Sequence, residues 1–404
     1  MLKKFSSNNP KIKGGNMMKK ALSILLVLLM AFSAVACTAT APAEPAAEAT
    51  TAPEAAAAEA AVEATEAPVK VDFSQNQNVA RASDAAKTTI ELPVVGIGST
   101  ITTDVKAAGD YTICVMTKNS TNPYMNGMWK GAEKAAADLG IKVVTLAPAQ
   151  QDSIEEQIAI MEAQIQQGVS AFVIHPSDSK GIMPAVDAAN EAGIPVISIG
   201  TASASGSMMR TGVDYYETGV VVAKYLFDMA GGEGGVIILE GPPGAQNAEE
   251  RKAGVTDTLA QYPGYTLIDS QPANFNRAQG MQVMENLLQR EGVKDQLKIV
   301  IAANDEMALG AIQALKAAGI TDVLVGGFDG SADASQAIKA GDLTVTYNTD
   351  PFGSTYYAIT MLVQYLDSGI LPAEYFIPFP SERHKPLIDS SNIDDYISNF
   401  AWFN

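Results

Sequence analysis

Six stretches of the chain carry side chains suited to hydrogen-bonding a neutral, polyhydroxylated molecule. "TKNSTNPYMNGMW" brings Asn122, Tyr124 and Trp129, and "VIHPSDSKG" brings His175. "LEGPPGAQNAEERKAG" brings Asn247 and Arg251, four apart and therefore on one helix face. "QPANFNRAQG" brings Phe275 and Asn276, "AANDEMALG" brings Asn304 and Asp305, and "GGFDGSAD" brings Phe328 and Asp329. Hydroxyl groups both donate and accept, and planar two-pronged side chains match them in vicinal pairs. Aromatic faces cover the C–H faces of a sugar ring. The plainer reading is helix capping: Asn122 suits an N-cap and Pro123 the first helical position. Capping needs one Asx residue per stretch and leaves the aromatic beside it unexplained, although either Tyr124 or Trp129 could be core. A single His without a second ligand nearby is a poor metal site, but His175 can exchange one hydrogen bond with a ligand.

These stretches share a location. Apolar runs rich in Val and Ile recur at 111–117, 142–147, 170–174, 194–199, 235–240, 264–269, 298–303 and 322–328. Their starts lie roughly 25–35 residues apart, one strand–helix unit each. Amphipathic helices sit between them. Ile154, Ile158, Met161 and Ile165 line one face before Gly168, and Ala308, Ile312 and Leu315 line another before Gly319. Continuous apolar strands alternating with helices predict parallel sheets covered on both faces. Two sets of such units, separated by a helix at about 214–230 and "GGEGG", predict two doubly wound α/β lobes. Ligands of open α/β sheets bind beyond the carboxyl ends of the strands. Every stretch quoted above is a strand-to-helix join, so all of them fall where a ligand would. Ser177 or Asp178 is expected to cap the helix after His175, and the fourth join, "ISIGTASASG", offers small polar groups and little charge.

The ends read differently. The chain has 404 residues and a formal net charge of −18, which argues against nucleic acid and anionic membrane surfaces as partners. Lys19 and Lys20 precede "ALSILLVLLMAFSAVAC", the pattern of an export signal over 1–36, with 1–16 an upstream extension if Met17 or Met18 is the start. "AVAC" resembles a bacterial lipobox, with Ala34 in place of the usual leucine, so Cys37 is the expected lipidation site. The alternative is ordinary signal cleavage nearby. Residues 37–70, rich in Ala, Glu, Pro and Thr, read as a disordered tether. Residues 71–109 form an extension that the pattern does not place. Cys114, in an apolar run, is then left without a disulfide partner and reads as a small buried hydrophobe.

Enzyme signatures are thin. There is no G-x-S-x-G, H-E-x-x-H, G-x-x-x-x-G-K-[ST] or C-x-x-C, and "GGEGG" precedes a strand instead of following one. Two histidines in all leave few general bases. A binding protein that is not an enzyme, needing no cofactor or metal, is the expectation.

In order and residue content, "NSTNPYMNGMWKGAEKAA", "VIHPSDS", "IPVISIG", "SQPANFNRAQG", "ANDEMALGA" and "GFDGS" resemble the ribose- and galactose-type sugar-binding proteins of bacterial ABC importers, in periplasmic binding protein class I. The resemblance spans about 110–370. It implies two lobes joined by a three-crossover hinge, the crossovers near 212–214, 348–351 and about 376–379. The first lobe would take 110–212 plus about 350–377, and the second 213–349 plus about 378–404. It implies that Asn122 bonds sugar hydroxyls, that Tyr124 and Phe275 stack, and that Asn304 and Asp329 hold hydroxyls. His175 stands where ribose binders have an Asn; Arg251 and Asn247 stand where galactose binders have an Arg and an Asp. Tyr347, Asn348 and Thr349 lie near the last crossover, and Asn348 is the polar contact expected there. Two positions depart from ribose binders. Gly200 and Thr201 replace an Asp-Arg pair, and Glu249 replaces a further arginine, so strong bidentate donors are lost. The function so implied is an exported, lipid-anchored, monomeric receptor. It captures a sugar or polyol and delivers it to an ABC permease in the membrane; the lost donors argue against ribose and toward a different sugar, a polyol or a more apolar ring compound. The alternative is a ligand-sensing receptor for chemotaxis or signalling on the same fold. Trp129, nearly two turns into its helix, is assigned to packing, and the aromatics of "DDYISNFAWFN" to packing on a lobe.

Overall fold

A computed structural model describes residues 106–369 and 386–404. The expected export signal, Cys37, the tether, most of the 71–109 extension and the crossover near 376–379 lie outside those residues.

The first lobe is a five-stranded parallel sheet of β1 (Thr112–Met116), β2 (Lys142–Leu146), β3 (Ala171–Ile174), β4 (Val196–Ile199) and β5 (Met209–Thr211), in the order β2-β1-β3-β4-β5. β1 and β3 are buried along nearly their whole length, which is why they read as unbroken apolar runs. Helices α1 (Pro123–Leu139), α2 (Ile154–Gln166) and α3 (Met183–Glu191) connect them. Asn122 caps α1 by accepting the Tyr124 N–H at 2.9 Å, Pro123 opens it, and Gly140 ends it in a left-handed conformation. Ser153 caps α2 through the Glu156 N–H. The expected cap of α3 is corrected. α3 begins only at Met183, while Asp178 Oδ1 accepts the amides of Lys180 and Gly181 at 2.8 and 2.6 Å and closes a separate turn.

The second lobe follows α4 (Tyr215–Ala230). Its sheet contains β6 (Gly234–Glu240), β7 (Tyr265–Pro272), β8 (Leu297–Ala302), β9 (Leu324–Asp329), β10 (Val345–Asn348) and β11 (Leu387–Asp389), in the order β11-β10-β9-β8-β6-β7. Only β11 is antiparallel. Its helices are α5 (Gln246–Leu259), α6 (Arg277–Leu288), α7 (Val293–Gln296), α8 (Asp305–Ala317) and α9 (Ala332–Ala340). In each lobe the strand order reverses at the first strand, β1 and β6, so the joins after these strands open the crevice where such sheets bind ligands. β5, β10 and β11 are additions to the eight expected strands; three or four residues with polar members make no apolar run.

The chain passes between lobes more than once. After β10, α10 (Pro351–Ser368) packs into the first-lobe core with Phe352, Tyr356 and Leu362. After β11, α11 (Ile393–Asn399) buries Ile393 and Tyr396 in the second-lobe core. Trp402 then returns to the first-lobe core beside α1 and α10. Cys114 is buried in β1 as a free thiol, and burial pushes it up to about 12. No helix among the described residues is long and apolar enough to cross a membrane.

Candidate functional site

On the first-lobe side, Tyr124 opens α1 and meets the His175 ring edge-on at 5.9 Å between centroids. His175 follows β3, with its backbone pinned at both ends. Its N–H donates to the Met116 carbonyl at 2.8 Å, and its carbonyl accepts from Gln157 Nε2 at 3.0 Å. Gly200, at φ 68°, makes room for the ring; a Cβ there would lie 2.7 Å from His175 Nε2. Burial and the neighbouring Lys118 and Arg251 cations hold the imidazole well below its ordinary pKa, so it is neutral. Both ring nitrogens are buried without a hydrogen-bond partner among the described residues. A neutral imidazole presents one donor and one acceptor, which is what a hydroxyl group requires.

On the second-lobe side, the Arg251 guanidinium lies between two rings, 4.9 Å from the Tyr215 centroid and 4.8 Å from that of Phe328. Its Nη1 donates to the Ala303 carbonyl at 2.6 Å, and its Nη2 stands 3.7 Å from Asp329 Oδ1. Nε, also buried, has no partner among the described residues. Burial raises the Asp329 carboxyl well above the usual range, with Arg251 pulling it back. Asp329 sits at φ 121°, and Asn274 and Phe275 at 53° and 55°. Such conformations cost on the order of 1–3 kcal/mol each and cluster where a site needs them. Gly241 admits the Phe275 ring, since a Cβ there would meet Cζ at 2.6 Å. Asn304 holds the same loop. Its Oδ1 caps α8 through the Met307 N–H at 3.0 Å, and its Nδ2 donates to the Phe275 carbonyl at 3.4 Å.

The two sides touch. Lys118, fully buried just past β1, donates to Thr201 Oγ1 at 2.9 Å and stands 5.3 Å from the centre of the second-lobe Phe275 ring. Burial pulls its ammonium down to about 8. Thr201 in turn donates to Asn247 Oδ1 of α5 at 2.8 Å. Beside them, Arg210 of β5 makes a buried ion pair with Glu250 of α5 at 3.0 Å.

Tyr124, His175, Asn247, Arg251, Phe275, Asn304 and Asp329 are therefore brought together. Asn122 stands at the same mouth with its oxygen committed to the α1 cap. Asn348 pairs beside Asp329 in the sheet, and its Oδ1 accepts the Asp350 N–H at 3.0 Å; the neighbouring Thr349 is the residue that reaches Asp329 Oδ1, at 3.4 Å. Trp129 packs against the first-lobe core. Lys118, Tyr215 and Thr349 join this cluster in the structure, through Thr201, Arg251 and Asp329 respectively. Lys118 follows the apolar run of β1 directly, which is the signal for it: residues just past a strand's carboxyl end lie where such sheets bind ligands. Where the sequence lacks the Asp-Arg pair, Thr201 bonds Asn247 of the other lobe and accepts from Lys118, which comes from the join after β1. Glu249 turns away to accept the Gly244 N–H.

Two parallel-sheet lobes facing each other across buried donors, acceptors and ring faces define a binding protein for a small polar solute. The chain belongs to the periplasmic binding protein family: residues 113–370 match the model of the periplasmic binding protein domain. It is 39% identical over 243 residues to the ribose import binding protein RbsB of Bacillus subtilis, covering 60% of this chain and 77% of that one. Among solved structures, a solute-binding protein of an Actinobacillus succinogenes ABC transporter with bound D-allose matches at 30% identity and TM-score 0.65, covering 71% of this chain and 100% of that one. A Bacillus halodurans solute-binding protein with bound myo-inositol matches at 27% identity and TM-score 0.65, covering 72% and 98%.

Proposed function

We propose that the protein captures a sugar or polyol between its lobes and hands it to an ABC permease, working as an exported monomer anchored through an acylated Cys37. The observation that carries the ligand class is the pairing of two kinds of group across one cleft. Neutral His175, the Arg251–Asp329 pair and Lys118 offer donors and acceptors, while Tyr124 and Phe275 offer ring faces from opposite lobes. A polyol uses both, and a charged solute would leave one of the buried charges opposed. The Thr201–Asn247 bond favours the closed lobes with or without ligand, and a ligand adds to closure by touching both sides of the cleft.

A thermal-shift screen of residues 71–404 against pentoses, hexoses, inositols, alditols and nucleosides tests the class. A ligand at a hundred times its Kd adds about 2.7 kcal/mol of stability. A shift with a charged or aromatic solute and none with any sugar or polyol would overturn the assignment. Mass spectrometry after long incubation should recover the bound sugar unchanged. Transport is tested by uptake of the same sugar in cells lacking the partner permease, and anchoring by radiolabelled palmitate incorporation into wild type but not Cys37→Ala.

A further inference from the structure

The turn between β9 and α9 is held from four directions. Trp402 Nε1 donates to the Asp329 carbonyl at 2.8 Å, and the Tyr396 hydroxyl donates to the Gly330 carbonyl at 2.6 Å. The Gly330 N–H donates to Thr346 Oγ1 at 3.2 Å and the Ser331 N–H to Asp305 Oδ2 at 2.8 Å. Thr346 gives its own proton to Asp305 Oδ1 at 2.6 Å. Four successive backbone groups thus find buried side-chain partners from α8, β10, α11 and the segment after it. The turn they hold is strained at Asp329, at φ 121°, while Gly330 takes its φ of 69° without strain.

Other positions make room for this arrangement. Gly127 of α1 lacks the Cβ that would lie 2.7 Å from the Trp402 ring, and a Cβ on Gly330 would lie 2.6 Å from the Tyr396 hydroxyl. The Trp402 ring is packed in the first-lobe core while its N–H reaches the second lobe. A turn that only had to be closed would not need donors from two lobes. The residue forced to positive φ is the one whose carboxylate faces Arg251 and Thr349.

We propose that Tyr396 and Trp402 are positioning residues for ligand capture: they fix the backbone of Asp329 so that its carboxylate faces the cleft, and Trp402 does this from the opposite lobe. The inference rests on Asp329 being a ligand contact. It assigns a binding role to side chains at the back of the turn that touch no ligand.

Tyr396→Phe and Trp402→Phe each keep a ring and remove one donor. Without ligand, amide hydrogen exchange at Gly330 and Ser331 should quicken about tenfold in either variant, with Trp129→Phe as the unchanged control. With D-ribose, D-allose, xylitol and myo-inositol as calorimetric probes, affinity for any that bind should fall about tenfold. That loss should vanish on an Asp329→Asn background, because a residue acting through the carboxylate then has nothing left to position. A residue serving only the fold would weaken binding equally on both backgrounds, and that result overturns the proposal. Unchanged exchange at Gly330 and Ser331 in both variants overturns it as well. If no probe binds wild type, the failure falls on the ligand class, while unchanged exchange at Gly330 and Ser331 still overturns the inference. If Trp402→Phe does not fold, Tyr396→Phe, which loses one oxygen, carries the same test.

Discussion

Arg251→Met should destabilise the second lobe by about 3–5 kcal/mol at neutral pH, the usual cost of removing one partner from a buried ion pair. The structure accounts for that size. The substitution leaves the Ala303 carbonyl without its 2.6 Å donor, removes the cation from between Tyr215 and Phe328, and strips Asp329 of the guanidinium 3.7 Å away. The melting temperature should fall by about 6–10 °C. The pH dependence separates charge from packing. Burial already raises the Asp329 pKa, and loss of Arg251, which lowers it, raises it further. Above that raised value the folded state carries an uncompensated buried charge. Below both the folded and unfolded values the carboxyl is neutral in either state and costs nothing. The unfolded value is common to both chains and cancels, so the gap between wild type and variant should open as pH rises through the raised Asp329 value of wild type and be narrow below it. Denaturant melts at half-unit pH steps measure it, with Arg251→Met/Asp329→Asn as the control in which the pH slope disappears. A gap that stays constant with pH, or a double variant no more stable than the single one at pH 7, would refute the ion-pair account.

Gly200→Ala places a Cβ against His175 Nε2 at φ 68°; it should cost about 1–2 kcal/mol in melts and weaken sugar binding by calorimetry, because the ring has to move. Asn304→Ala should lose about 1 kcal/mol through the α8 cap as well as affinity, whereas Asn304→Asp keeps the cap and should lose mainly affinity; equal melting points for the two would count against the capping role. Phe275→Ala should weaken binding about tenfold, and Phe275→Gly, which relieves φ 55°, should melt no lower than Phe275→Ala. Lys118→Met should weaken sugar affinity about tenfold or more, since an ammonium has three donors and only one goes to Thr201.

The parallel strands were legible because burial on both faces writes them as unbroken Val and Ile runs, and the joins follow from where those runs stop. Short strands at sheet edges were not legible, since "MRT" and "LID" carry no period a pattern can catch. The start of α3 was misplaced because Asp178 has the chemistry of a cap and spends it on a local turn. In the site, residues that could both cap and contact were found easily, while Lys118 was passed over because lysine reads as surface until burial is known. Thr201 looked like a lost contact, and only the lobe-to-lobe geometry reveals the bond to Asn247. Trp402 could be assigned to packing but not to a carbonyl, because its partner lies 73 residues away in sequence.

Of the chain's two cysteines, Cys114 alone falls within the described residues, and burial in β1 pushes its thiol up to about 12. At pH 7 roughly one molecule in 10⁵ would carry a thiolate there. Thiolates attack maleimide dyes, so this buried, protonated sulfur is silent toward them in the folded protein. A cysteine introduced at the rim of the cleft, in a chain begun after Cys37, would take a fluorophore selectively without any prior substitution of Cys114. The molecule is thus ready-made for conversion into a reagentless optical sensor of its own ligand.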